Sequence, residues 1–185
     1  YRPERGCDEA WYSQALKIEE ALLSGEPLAG ACLDFAKAFD RLPFHLLLKM
    51  AEVAGAETGI LQALGAMHAQ LQRRFKLPGG LVGEPFSSTN GILQGCPISV
   101  ILLNLYVQTW LNMVENEILD AAAQSYADDL LLTTTNLNTP RRAIQLTEQY
   151  AQDTGMELSP HKVVTYGELS LSSGLTWNNC RSDGE

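Results

Sequence analysis

The chain has 185 residues, 45% of them hydrophobic, and a formal net charge of −9. That suits one globular domain, or most of one, with a buried core, and it argues against a free-standing nucleic-acid binder, which would carry a basic patch. Strict apolar runs stay well short of the ~20 residues of a membrane span, no signal-peptide pattern opens the chain, and Cys7, Cys32, Cys96 and Cys180 lack the spacing of a zinc site and read as free thiols.

Because the sequence opens at Tyr1 rather than Met, it is expected to be an internal piece of something larger; free thiols suit a reducing compartment, and the expectation is an intracellular (nuclear or cytoplasmic) protein that is not secreted. Residues 1–9 read as loop, with Pro3 and Gly6. From Glu9 to Ser24, Trp11, Ala15, Ile18 and Leu22 recur at helical spacing, with Asp8 as N-cap and Gly25 as stop. Leu28 to Phe35 reads as a buried strand, with Ala29, Ala31, Leu33 and Phe35 on one side and Gly30, Cys32 and Asp34 on the other. Asp34 thus falls near the end of an apolar strand, where a carboxylate is costly unless paired or metal-bound.

Residues 36–40 read as a turn or short helix. Pro43 opens a helix with the stripe Phe44, Leu47, Leu48, Ala51 and Ala54, ended by Gly55. A second helix is expected from about Glu57 to Arg73, with Ile60, Leu61, Leu64, Met67 and Leu71 inward. Between Phe75 and Ile92, Gly79, Gly80, Gly83 and Pro85 interrupt short β-like pieces, a hairpin that leads to Asn90–Gly95. Pro97 then opens a long helix to about residue 119, apolar nearly all round in its first half and therefore central, acidic and amphipathic in its second.

Ser125 to Thr133 reads as strand, tight turn and strand, with Asp128 and Asp129 at the turn. Thr139 as N-cap and Pro140 at the first helical position start a helix that runs to about Thr154 and stops at Gly155. Met156 to Tyr166 is strand-like, and the chain beyond Gly167 is weakly patterned. The order of elements implies an α+β fold, an antiparallel sheet covered on one face by helices.

Asp128 and Asp129 are the pair on which chemistry turns. Unit charges ~4 Å apart repel by ~4 kcal/mol at an effective dielectric of about 20, so a bound cation is one way to hold them together. Asp is also a common turn residue, and the segment alone leaves both readings open. If the strand ending in Asp34 neighbours this hairpin, two or three carboxylates meet at one edge. Hard oxygen donors of that kind select Mg²⁺ or Mn²⁺, and two such ions ~3.5–4 Å apart serve polymerases and nucleases. Gln94-Gly95 adds an amide with donors and an acceptor beside a residue that permits close approach, or else only a turn into the helix.

The segment Cys32-Leu33-Asp34-Phe35-Ala36-Lys37-Ala38-Phe39-Asp40-Arg41-Leu42-Pro43 resembles motif A of reverse transcriptases of the non-LTR (LINE-type) and group II intron kind. Asn90 to Ser99, containing Gln94-Gly95, resembles their motif B; Tyr126-Ala127-Asp128-Asp129 is similar to motif C in its YADD form; Gly155 to Lys162 is similar to motif D. The opening Tyr1 to Ala10 is like the segment of the fingers that precedes motif A. The motifs fall in the right order across about residues 1–167.

The resemblance implies a polymerase palm with partial fingers and no thumb: the end of the fingers over 1–27, palm over 28–167, and a tail over 168–185. It implies that Asp34 and Asp128 hold two Mg²⁺ ions (or Mn²⁺), with Asp129 as the third acid near the primer end. Phe39 would be the ring that excludes a 2′-hydroxyl, and Phe35, Gln94, Gly95 and Tyr126 would line the nucleotide and template. Lys162 would protonate the departing pyrophosphate or offset its charge. The implied partners are an RNA template, a DNA primer, dNTPs and the remaining fingers and thumb of the same polyprotein, with no membrane. Val100 departs from the proline frequent in these families. Two rival readings are a silent or domesticated remnant acting as a binding domain, and an RNA-templated RNA polymerase; Phe39 speaks against the latter, which would want a small or hydrogen-bonding residue there.

Overall fold

A computed structural model describes residues 6–167 together with 177 and 178. Its elements are α1 (Cys7–Ser24), β1 (Ala29–Asp34), α2 (Ala38–Arg41), α3 (Phe44–Val53), α4 (Thr58–Gln70), β2 (Gln72–Arg73), β3 (Phe86–Ser87), α5 (Pro97–Glu117), β4 (Ala121–Tyr126), β5 (Asp129–Thr134), α6 (Thr139–Asp153), β6 (Val164–Tyr166) and β7 (Trp177–Asn178). They form two compact units, one from the chain up to Ala36 and from Tyr106 onward, the other from Lys37 to Leu105.

The first unit is built on a five-stranded sheet in the order β4-β5-β1-β6-β7, antiparallel throughout. The alternation along β1 decides what each face receives. Ala29, Ala31, Leu33 and Phe35 are all buried on the side covered by α6 and the later part of α5. There Phe35 meets Tyr106 edge to face at 5.2 Å, and the Tyr150 hydroxyl donates to the Tyr106 carbonyl at 2.8 Å. Trp110 Nε1 donates to Thr147 Oγ1 at 3.0 Å, so the largest indole of the core also has its polar atom satisfied.

The opposite side of β1 carries Gly30, Cys32 and Asp34, and α1 lies over it. Gln14 of α1 fixes that contact with both ends of its amide: it accepts from Thr133 Oγ1 at 2.9 Å and donates to the Tyr166 hydroxyl at 2.9 Å. Ala21, Leu28 and Tyr166 form a small apolar cluster there, with Ile18, Cys32 and Leu131 packed against it. The Tyr166 ring lies directly across Gly30, and a Cβ at that position would run into the ring and into the Leu132 carbonyl. A glycine in mid-strand marks such a close approach.

In the second unit α3 and α4 pack through a Phe44 ring stacked on His68 at 3.8 Å. β2 and β3 make a short ladder, with Phe75 stacked on Phe86 at 4.9 Å beside it.

Several sequence expectations shift. Asp8 lies inside α1, whose N-cap is Gly6; an acid in the first helical turn is favoured by the helix dipole as well as at the cap. α4 ends at Gln70 and Arg73 belongs to β2. No residue of α4 is buried, and Ile60 is 54% exposed: periodicity says which residues share a side, not what covers them. The first half of α5 is buried as expected, but on one side only. Ser99, Leu102, Leu103 and Tyr106 are buried in its first half while Ile101 is 60% exposed, and Trp110 and Val114 carry the buried stripe on through its second half. By length and composition α5 is apolar enough to cross a membrane; Ser99 and Asn104 break its strict apolar run without lowering the average much. The buried stripe of Leu102, Leu103, Tyr106, Trp110 and Val114 is that of a core helix. Thr139 is the first residue of α6 and Asn138 its N-cap. The strand expected over Met156–Tyr166 shortens to Val164–Tyr166, preceded by a single bridge between Phe35 and Leu158. Most of the expected tail lies outside the described residues.

Candidate active site

β1 and β5 are neighbours, and their register sets Asp34 directly opposite Asp129. Residues opposite each other in an antiparallel pair share a face, so both acids stand on the side of the sheet that α1 covers. β5 is joined to β4 by the two residues Ala127 and Asp128, because Tyr126 pairs with Asp129. Ala127 takes a positive φ of 54°, a conformation costly for a residue with a Cβ. The turn therefore holds Asp128 in the tightest link between two strands, one residue from Asp129.

Asp34 is 5% exposed, and its carboxylate has a cation beside it. Lys162 Nζ stands 2.9 Å from Asp34 Oδ2, with the lysine side chain 65% exposed and the acid 7%. The sequence Ser159-Pro160-His161-Lys162 explains how the ammonium arrives. Lys162 N–H donates to the Ser159 carbonyl at 3.0 Å, a turn whose second residue is proline, preset for that φ. The turn is tied to the end of β1: Ser159 N–H donates to the Asp34 carbonyl at 2.8 Å, and Ala36 N–H to the Glu157 carbonyl at 2.8 Å.

The electrostatics follow from this placement. Burial first, then the charges of Asp128 and Asp34, push the Asp129 carboxyl above its ordinary value, and Lys162 draws it part of the way back. The Lys162 ammonium is held above its ordinary value chiefly by the hydrogen bond and charge of Asp34, with Asp128 and Asp129 adding to it. Burial and Asp129 raise the Cys32 thiol, two residues before Asp34 on the same face. A cavity of about 590 Å³ opens on this face between α1 and the sheet, lined by Trp11, Gln14, Cys32, Asp34, Tyr126 and Lys162 among others.

Three carboxylates with hard oxygen donors suit a divalent cation. Among the described residues no three His, Cys, Asp or Glu side chains are gathered closely enough to form a cage, and the Asp34 oxygen is taken up by Lys162. The donor set fits such an ion, with an ammonium standing where part of the positive charge would go.

Not every expected residue reaches this edge. Phe35 is a correction: its ring is in the core against Tyr106, because it alternates to the face opposite Asp34, and only its main chain is available to a ligand. Tyr126 is exposed at the end of β4 and lines the cavity.

Phe39, Gln94 and Gly95 belong to the second unit. Phe39 lies half-buried in α2, with its carbonyl accepting from Ile92 N–H at 2.6 Å. Gly91 N–H donates to the Leu42 carbonyl at 2.8 Å, and at φ 87° a Cβ there would come within 2.7 Å of the Asp40 carbonyl. The glycine of Asn90-Gly91 is thus what lets the loop before Gln94 close on the segment bearing Phe39. Gln94 and Gly95 are exposed in a turn. Gly95 has φ 85° and open space around it, so its conformation explains the glycine while leaving room for a neighbour.

Sequence reasoning passed over Gln14, Tyr166 and the turn before Lys162. A mid-strand glycine at 30 and the Ser-Pro pair at 159–160 were the signals that could have found two of them.

Comparison with known proteins places this geometry in a family. Residues 1–171 match the family described as reverse transcriptase (RNA-dependent DNA polymerase). The chain is 27% identical over 169 residues to a transposon TX1 uncharacterized 149 kDa protein of Xenopus laevis, covering 86% of this chain and 12% of that protein. It is 24% identical over 158 residues to the retrovirus-related Pol polyprotein from the type-1 retrotransposable element R2 of Popillia japonica, covering 81% of this chain and 26% of that one. The chain therefore spans a small part of the length of these relatives. In fold it is similar to telomerase from Candida tropicalis in complex with the TWJ fragment of telomeric RNA, with a TM-score of 0.67 at 15% identity over 98% of this chain and 34% of the telomerase. Apo telomerase from the same species gives 0.66 at 14% identity, over 92% of this chain and 36% of that one. An antiparallel sheet that sets Asp34 against the Asp128-Asp129 turn, on a sequence matched from end to end of its described core, makes the chain a member of the reverse transcriptase family.

Proposed function

We propose that this chain is the palm, with the last part of the fingers, of an RNA-directed DNA polymerase from a non-LTR retrotransposon. In this reading residues 1–27 end the fingers, 28–167 form the palm and 168–185 are a tail. The observation that carries it is the register of β1 on β5, which brings Asp34 opposite Asp129 with Asp128 in the adjoining turn. The reaction is attack of a primer 3′-hydroxyl on the α-phosphorus of a dNTP paired to an RNA template, with pyrophosphate leaving.

Asp34 and Asp128 would hold two Mg²⁺ ions (or Mn²⁺), with Asp129 as the third acid beside the primer end. Bound there, the ions lower the pKa of the attacking hydroxyl and neutralise the leaving phosphates. The chain's own residues do the rest. Lys162, on a stem anchored beside Asp34, supplies a proton or positive charge to the pyrophosphate. Phe39 lies under the sugar and excludes a 2′-hydroxyl, which would lose its water against the ring. Gln94 and Gly95 line the template and incoming nucleotide, and Tyr126 flanks the acids. The work takes place in the nucleus or cytoplasm, on partners that the rest of the polyprotein helps to grip.

The test is primer extension on an RNA template by the full polyprotein. Asp128→Ala abolishes incorporation and leaves template binding nearly unchanged; incorporation at the wild-type rate would overturn the assignment. The 185-residue piece alone gives no extension, because the basic partners that hold triphosphate and duplex are not supplied by a chain of net charge −9.

A further inference from the structure

The cation beside Asp34 belongs to the protein itself. A buried carboxylate without a partner is expensive, and the 2.9 Å ion pair with Lys162 relieves that cost in the metal-free state. The lysine side chain is 65% exposed, so the ammonium keeps water on its outer side and can leave without a large desolvation change. The main chain cannot follow it, because the Ser159–Lys162 turn is bonded to the Asp34 carbonyl. Departure is therefore a swing of the flexible stem about a fixed Cα. Two dications and an ammonium cannot share one carboxylate at close range, since like charges repel.

We propose that Lys162 is a resident counter-ion of Asp34 which a divalent cation displaces, so that metal loading breaks the ion pair and frees the ammonium for the substrate phosphates. This rests on the reading of Asp34 and Asp128 as the ion-holding acids. It assigns the lysine a role before chemistry, as a competitor that sets metal affinity, and makes its availability conditional on a loaded site. The balance is simple. One N–H···O ion pair is lost, metal–oxygen bonds form at the same carboxylate, and no covalent bond or proton changes hands.

The experiment uses Mn²⁺ as probe, with bound ion counted by electron paramagnetic resonance of free Mn²⁺ on the 185-residue chain. Lys162→Met binds Mn²⁺ about tenfold more tightly than wild type, the size of effect expected for one charge-assisted contact. Lys162→Arg, which keeps the charge, binds no more tightly than wild type, and Asp34→Asn binds more weakly. In parallel, reductive methylation of Lys162 in the wild-type chain, read by mass spectrometry, speeds up several-fold on saturation with Mn²⁺. In Asp34→Asn it is already fast without the ion. Equal or weaker binding by Lys162→Met overturns the competition. Lys162 reactivity unmoved by saturating Mn²⁺ overturns the displacement, and needs no variant to fold. Failure of every chain, wild type included, to bind Mn²⁺ overturns instead the metal reading on which the proposal stands.

Discussion

Asp129→Asn is expected to stabilise the chain in the absence of divalent ions. Asp129 faces Asp34 across the β1–β5 pair and adjoins Asp128, and its carboxyl is raised above the ordinary value by burial and by both of those charges. A raised carboxyl pKa in the fold means that the folded state holds its proton more tightly than the unfolded one. The ionised group therefore costs stability above its folded pKa, and the cost vanishes as the pH falls below the unfolded value of about 3.9. Like charges placed opposite each other across strands destabilise by about 0.2–1 kcal/mol. Asp129 is desolvated on its sheet side but exposed overall, so screening by water puts the effect in the lower half of that range, about 0.5 kcal/mol. For a chain of this size that is a rise in Tm of about 1–2 °C.

The assay is thermal unfolding followed by circular dichroism at pH 7.5 and at pH 3.5. The difference between Asp129→Asn and wild type is present at the higher pH, closes at the lower, and shrinks in 1 M NaCl, where the screening length falls to about 3 Å. Adding Mg²⁺ reverses the order, because a ligand that binds the folded wild type stabilises it in proportion to its affinity. A variant less stable than wild type at pH 7.5, or a gap of the same size at both pH values, would refute the picture of Asp129 as a strained member of an acid cluster.

Two further outcomes test other parts of the molecule. Gly30→Ala forces a Cβ against the Tyr166 ring and the Leu132 carbonyl; it should cost about 1–3 kcal/mol as overpacking, read as a lower urea midpoint with unchanged slope. Phe39→Val in the full polyprotein should raise the ratio of ribonucleotide to deoxyribonucleotide incorporation, measured in single-nucleotide extension; rejection of ribonucleotides at the wild-type level would remove Phe39 from the gate.

Much of the site was legible because it rests on short-range patterns. The alternation of β1 put Asp34 on the face opposite Ala29, Ala31 and Leu33, and turn chemistry put two acids between strands. The family motifs then tied these pieces to one reaction. What was not legible is what depends on partners far along the chain. No local pattern states that β1 lies between β5 and β6, that Tyr166 crosses Gly30, or that Lys162 is folded back onto Asp34. The same limit explains the errors. The motif resemblance assigns Phe35 to substrate, whereas its own alternation sends it into the core. The apolar stripe of α4 reads as inward, yet its packing against α3 leaves Leu61 and Leu64 only half-buried and Ile60 exposed. The first half of α5 reads as apolar nearly all round, and its composition alone does not say that Leu102 and Leu103 turn inward while Ile101 faces out.

The two-residue turn at Ala127 and Asp128 also bears on which lesions the site can absorb. Substitutions around it alter one side chain at a time and leave the pairing of Tyr126 with Asp129 in place. An inserted or deleted residue is a different kind of damage. A shift of one position turns every following side chain of β5 to the other face, sending Asp129 into the aromatic core and Leu130 to the edge where the acids meet. In copies of such a gene that drift without selection, single-codon indels in these few positions should silence the site in one step, however intact the acids themselves remain.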